Sequence, residues 1–214
     1  MSLPRPSLIL LALTLTGCAS AYYGTMEKVG YHKRDILVDR VEAARDAQSE
    51  AQQQFKSALE QFGSVIQLEQ TDLEQAYERL NDEYEESQAA AETVSKRIDK
   101  VESVADALFD EWQDELGLYH NQQLKAASAR KLHTTHRHYQ DMLKAMRRAE
   151  RSMQPVLDSL RDNVLFLKHN LNAQAIGSLR GEFSSLKLDI KRLIERMNRS
   201  IEHSNRFIET LQHG

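Results

Sequence analysis

The sequence predicts an all-α protein, an elongated antiparallel four-helix bundle or coiled coil with a projecting hairpin between helices two and three. Three observations predict it. Only eight glycines and three prolines occur in 214 residues, 28% of residues are charged, and Ala, Glu, Gln, Leu, Lys and Arg are abundant, a composition that favours long helices. From residue 37 onward apolar side chains recur at three-and-four spacing in four stripes, the period of a buried helical face. Turn chemistry is concentrated where one stripe gives way to the next.

The first element is an address. Arg5 supplies a short basic region, Ser7 to Thr16 form an apolar run of about ten residues, and Leu15-Thr16-Gly17-Cys18 closes it with the one cysteine of the chain. A run of this length suits a signal-peptide core and is too short to span a bilayer. The tetrad has the form of a lipobox: an aliphatic residue, two small residues that let a peptidase approach the backbone, and a thiol to take lipid. The alternatives are a secretory signal that happens to end in cysteine, or a buried free thiol. By resemblance to bacterial lipoproteins, residues 1–17 are the signal peptide and Cys18 becomes the diacylglyceryl-modified, N-acylated first residue, with palmitate among the expected acyl chains. Each buried methylene contributes about 0.8 kcal/mol, so several chains hold a soluble domain on a membrane. Ala19 rather than aspartate follows the cysteine, which favours the outer membrane, periplasmic face, over the inner membrane.

Removal of the leader takes away Arg5 and moves the formal net charge from −4 to −5, which gives no general attraction to nucleic acid. With Cys18 alkylated, no thiol remains for a disulfide, a thiolate nucleophile or a zinc-thiolate site. Residues 18–30 show no sustained period and read as a lipidated tether. Residues 31–214 read as the helical domain.

Its first helix, about 31–67, carries Leu37, Val41, Ala44, Gln48, Ala51, Phe55, Ala58, Phe62 and Val65, with Gln48 the one break and Gly63 weakening the end. Thr71 with Glu74 forms a capping box for the second helix, about 72–118. That helix keeps phase through Leu73, Tyr77, Leu80, Tyr84, Ser87, Ala91, Val94, Ile98, Val101, Ala105, Leu108, Trp112, Glu115 and Tyr119. Gly117 and Asn121 punctuate it. The third, about 122–170, runs from Leu132 through His136, Tyr139, Met146, Glu150 and Leu157 to Leu171 and contains Pro155, which either kinks a continuing helix or starts a new one. The fourth, about 173–212, carries Ile176, Leu179, Phe183, Leu186, Ile190, Leu193, Met197, Ser200, Ser204, Phe207 and Leu211. Extra apolar positions such as Met142, Phe166 and Ile194 widen the stripes beyond a two-stranded seam, so each helix needs more than one neighbour. Short connections make successive helices antiparallel; the rival arrangement is a looser coiled coil completed by dimerisation.

Reflection about turns near residues 68 and 120 places Gln48 beside Ser87 and Ser87 near Glu150. This suggests a polar layer that fixes register at some cost in stability, joined by Arg192 or Arg196; the alternative is three unrelated, tolerated polar residues. The same reflection carries the start of the first helix back only to the level of about residue 104. The hairpin of helices two and three then projects past both termini as a tip, about Ala105 to Thr135. This tip contains Trp112, the acidic Asp110, Glu111, Asp114 and Glu115, and the basic Lys125, Arg130 and Lys131. The tether leaves from this end, and twelve extended residues reach about 40 Å, so the tip is expected to face the anchoring membrane.

Charge divides between the hairpin strands. Glu69 to Glu115 has 16 acidic and four basic residues, whereas Lys125 to Arg151 has eight basic and two acidic. Two readings follow: an intramolecular match across solvated faces, worth little per pair, or surplus cations, Arg147, Arg148 and Arg151 among them, that meet anionic head groups or an acidic partner.

No reaction chemistry is legible. His133, His136 and His138 raise the question of a metal, but neither a Glu-x-x-His pair nor His-Glu-x-x-His occurs, so no metal and no cofactor is expected. There is no Gly-Lys-Ser/Thr phosphate loop and no Gly-x-Ser-x-Gly. Trp112 and tyrosines 77, 84, 119 and 139 fall in phase with the core and read as packing rather than as a ligand box.

Several stretches carry a resemblance: Lys33-Arg34-Asp35-Ile36-Leu37-Val38-Asp39-Arg40-Val41, Phe55-Lys56-Ser57-Ala58-Leu59, Leu80-Asn81-Asp82-Glu83-Tyr84, Ala107-Leu108-Phe109-Asp110-Glu111-Trp112 and Val164-Leu165-Phe166-Leu167-Lys168-His169-Asn170-Leu171-Asn172. Through them most of the mature chain resembles an uncharacterised proteobacterial family of predicted lipoproteins of unknown function, helical or coiled coil. The resemblance implies the location and the helices and transfers no catalytic residue. A label of DNA repair ATPase sometimes attached to such families reflects heptad similarity, since the phosphate loop is missing here.

The expectation is therefore a membrane-anchored periplasmic scaffold or interaction module without an active site. Its expected partners are the membrane, through lipid on Cys18, and a periplasmic or envelope protein, with no nucleic acid and with a homodimer left open. The alternative is a carrier holding an apolar ligand or lipid between the helices, which requires an unfilled cavity along the seam. An enzyme with an unfamiliar centre is a third class, for which Glu115, His136 and Glu150 lie in phase but at different levels.

Overall fold

The computed structural model describes residues 32–67 and 73–213. The signal peptide, Cys18, the tether and the capping residue Thr71 lie outside the described residues. The described chain is all-α: α1 (Lys33–Val65), α2 (Leu73–Glu115), a 3-10 turn (Leu116–Leu118), α3 (Gln122–Arg151), α4 (Met153–His169) and α5 (Ala173–His213).

The expected third helix is two. Pro155 has no N–H to give the carbonyl of Arg151, and it sits in the first turn of α4, where that loss is tolerated. The interruption falls at Ser152, whose N–H reaches Ala149 O at 3.0 Å and whose Oγ donates to the same carbonyl at 2.6 Å. Ser152 keeps αR geometry, so α4 carries on the line of α3, and both readings of the proline hold in part.

The helices pack as a four-cornered bundle. α1 contacts α2 and α5, and α2 contacts α3 and α4, which in turn contact α5. The diagonal pairs, α1 with α3–α4 and α2 with α5, do not share an interface of this kind. Cross-contacts fix the antiparallel register of α1 and α5: Phe62 stacks on Phe183 with ring centroids 5.9 Å apart, and Gln52 Nε2 donates to Asn198 Oδ1 at 2.8 Å. Further along, Arg45 donates to Asn205 Oδ1 at 3.3 Å. One continuous core of aliphatic and aromatic side chains fills the axis, with Phe55, Phe62, Phe207, Met142 and Met146 among the largest fully buried. Burial of each such side chain contributes about 1.5–3 kcal/mol, and this packing stabilises helices of such length in water.

The expected helix-two stripe overruns its helix. α2 ends at Glu115, and the two stripe members at or beyond that end, Glu115 and Tyr119, are exposed. Leu171 is exposed for the same reason, lying past the end of α4.

Candidate functional site

The hairpin tip closes through Asn121, the N-cap of α3, whose Oδ1 accepts from Gln123 N at 2.9 Å and Leu124 N at 3.1 Å. Asparagine suits this position because its side chain takes up two of the N–H groups that a helix start leaves without partners. Leu116 is buried under the turn, while Leu118 is 73% and Leu124 57% exposed, with Tyr119 beside them. The tip thus presents large apolar side chains to the surroundings, a signal that the sequence reading, fixed on Trp112 and the charges, passed over.

The projecting region is shorter than expected. Lys33, at the start of α1, reaches Glu111 at 2.8 Å, so side chains of α1 cover α2 as far as residue 111. Ala105, Leu132 and Thr135 are accordingly buried, and the free tip runs from just beyond Trp112 to about Lys131.

Trp112 is half-buried against the core, and its indole Nε1 donates to Ser128 Oγ of α3 at 2.9 Å. It straps the base of the tip and is not displayed at its end. Lys125 is half-buried and Arg130 and Lys131 are exposed. Where the ends of α1, α2, α3 and α5 converge, a cleft of about 210 Å³ is walled by Leu108, Trp112, Thr135 and Leu211, with Arg34, Glu111, Glu115 and Lys131 at its charged rim.

The expected polar layer does not form a hydrogen-bonded unit. Gln48 and Ser87 are fully buried, but neither side chain makes a hydrogen bond with the described residues. Glu150 is drawn to the α2–α3 edge, where Arg147 binds it at 3.0 Å. Arg192 pairs with Asp189 on the surface at 3.3 Å and Arg196 is exposed. A third buried side chain without a partner among the described residues is Ser200. It is fully buried and lies on α5 between the cross-contacts of Gln52 with Asn198 and of Arg45 with Asn205. Reflection through successive turns misses it because α1 and α5 are neighbours without being consecutive.

Arg147 is the electrostatic centre of the hairpin. Beyond Glu150, it donates to Asp99 Oδ1 of α2 at 2.6 Å and also binds Glu102. Partial burial works against its charge, but the carboxylates of Asp99 and Glu150 outweigh that and hold the guanidinium pKa above its usual value. The match of acidic α2 with basic α3 is thus realised at one node.

The histidines separate. His136 sets its ring edge-on to Phe109, centroids 4.7 Å apart, in a cluster with Tyr139, which also touches Phe207. Burial first, and the nearby charge of Asp106 second, push the Tyr139 phenol well above its ordinary pKa. His133 is exposed. His138 lies across a surface cleft from His203 and Arg206 of α5, with Asp141 beside it. Among the described residues, no group of three or more His, Cys, Asp or Glu is placed to hold a metal ion.

No helix among the described residues is long and apolar enough to cross a membrane. The family model for a protein of unknown function, DUF2959, matches residues 22–211, and the chain belongs to that family. No curated protein and no solved structure matches it.

Proposed function

We propose that this member of the DUF2959 family is a lipid-anchored envelope protein that works as a non-enzymatic helical scaffold, presenting the hairpin tip to a periplasmic or envelope partner. The observation that carries the anchor is Leu15-Thr16-Gly17-Cys18 behind an apolar run, with Ala19 favouring the outer membrane. Support for the scaffold comes from the tip, where Leu118, Tyr119 and Leu124 stand exposed on a rigid helical base strapped by the Trp112–Ser128 bond. Exposed apolar side chains rimmed by charge mark contact surfaces. The core along the bundle is filled by buried side chains, which favours a scaffold over a carrier with a ligand between the helices.

Metabolic labelling with palmitate tests the anchor. Wild-type protein takes up label and fractionates with the outer membrane; Cys18→Ala takes up none, and an unlabelled wild type refutes the anchor. Photo-crosslinkers at Leu118 and Leu124 test the scaffold. A specific envelope protein captured at both positions, and not from exposed Gln88 on the side of α2, supports it; capture of lipid alone refutes it.

A further inference from the structure

Few cations of the described bundle are held in ion pairs, and on one side those without partners gather on two neighbouring helices. Arg137, Lys144 and Arg148 of α3 and Arg196, Arg199 and Arg206 of α5 are all exposed, and none of their side chains makes an ion pair or hydrogen bond with the described residues. Arg147, next to Arg148, points to α2 and is fully engaged there. One residue of helical rotation, about 100°, turns Arg148 away from that edge.

The register of α3 and α5 follows from the cleft in which His138 and Asp141 face His203 and Arg206. In that antiparallel register Arg137 falls level with Arg206, Lys144 with Arg199, and Arg148 with Arg196. Three rungs, each with a cation at both ends, climb about 16 Å of the α3–α5 side at helical rise. Asp141, Glu195, Glu202 and Glu209 are the carboxylates near these rungs, four against six cations, which leaves a positive excess. Like charges this close oppose folding, so the arrangement is costly unless something anionic meets it. Further along the same side, beyond the rungs, stand Leu188, 54% exposed, and Phe166, 38% exposed.

We propose that the α3–α5 side is a docking surface for an anionic phospholipid bilayer. Cations read the head groups, and Leu188 and Phe166 enter the interfacial layer, the pairing of charge with apolar side chains that interfacial binding uses. The rungs lie along the rod and not at its end, so contact through them lays the molecule flat. That orientation rests on the lipid-anchor reading, with the tether acting as a leash; the affinity for the surface does not.

The test uses the full chain carrying Cys18→Ala, floated with phosphatidylcholine vesicles and with vesicles containing phosphatidylglycerol. Binding is expected to the anionic vesicles alone and to fall at high salt. With each surface cation contributing roughly fivefold, R196Q/R199Q/R206Q is expected to weaken binding about a hundredfold, while lysine at the same three positions restores it. Equal binding to both vesicle types, or unchanged binding by the glutamine variant with native helical content, overturns the proposal. So does salt-sensitive self-association in sedimentation that the same variant abolishes while anionic vesicles fail to bind, since the partner is then a second copy of the chain. Palmitate labelling of the unmutated protein separates the two readings. Labelled protein without head-group preference leaves the anchor standing and sinks the docking surface; unlabelled protein with anionic preference does the reverse.

Discussion

Arg147 of α3 reaches Asp99 of α2 at 2.6 Å while also holding Glu150 one turn along its own helix at 3.0 Å. A guanidinium can do both because its fork presents several donors in one plane. Its removal leaves Glu150, whose side chain is 18% exposed, without its cation. Arg147→Met is expected to destabilise the fold by about 1–3 kcal/mol, read as a lowered urea midpoint. Arg148→Met, which breaks no contact, is expected to change it by less than about 0.5 kcal/mol. Equal effects would show that Arg147 acts as surface charge alone.

Gln48 and Ser200 are both fully buried where α1 meets α5, with no side-chain hydrogen bond between them or to any other described residue. A buried amide without partners costs about 1–3 kcal/mol. Gln48→Leu is therefore expected to raise the unfolding midpoint, and Gln48→Leu with Ser200→Ala to raise it further. A clear loss of stability in Gln48→Leu would mean that the amide is satisfied in solution and contributes to the fold.

Tyr139 carries a phenol whose pKa is raised above its ordinary value of 10.0, chiefly by burial. A folded-state pKa above the unfolded one means that the folded protein holds the proton more tightly. The stability tied to this group is whole below about pH 10 and declines as pH climbs above it. Tyr139→Phe is expected to flatten that alkaline decline while changing the melting temperature little at neutral pH. Parallel alkaline decline in both proteins would remove Tyr139 as the cause.

Gly177 and Gly181 lie inside α5, and a Cβ built at either meets nothing within 4 Å. Alanine there restricts the unfolded chain and suits the helix, so each substitution is expected to stabilise by about 0.5–1 kcal/mol. Gly63 differs, because its Cβ would sit 3.4 Å from the Phe183 ring. Thermal melts of the three single variants should show gains at 177 and 181 and a smaller gain at 63. A loss at 177 or 181 would point to a close approach at that position by something outside the described chain.

The helices and their core faces were legible because each long stripe repeats one physical requirement, an apolar side chain every three or four residues, many times over. Ends were less legible. Tyr119 and Leu171 kept phase past the last helical hydrogen bond, since periodicity carries no record of where the backbone turns. Pro155 announced a disturbance, but its place depended on Ser152 closing the preceding turn. Reflection placed sequential neighbours tolerably and failed for α1 against α5, so Ser200 escaped notice as a buried polar residue at that seam. The base of the tip was misplaced because backbone reflection does not register how far a long side chain reaches, as Lys33 does to Glu111. Of the candidate tip residues, Arg130 and Lys131 are displayed and Trp112 looks inward to Ser128, while the exposed Leu118 and Leu124, lying outside any stripe, went unread.

The seam between α1 and α5 joins the first described helix to the last, through Phe62 with Phe183 and Gln52 with Asn198. A growing polypeptide can close the α1–α2 hairpin early, yet one flank of α1 must wait for more than a hundred further residues before its own cover is made. Until then that flank is greasy and wet, and the half-built rod invites wrong company. Chains cut short before α5, or synthesised slowly through it, would thus be clients for holdases and proteases, making the last helix the point at which the molecule passes or fails quality control.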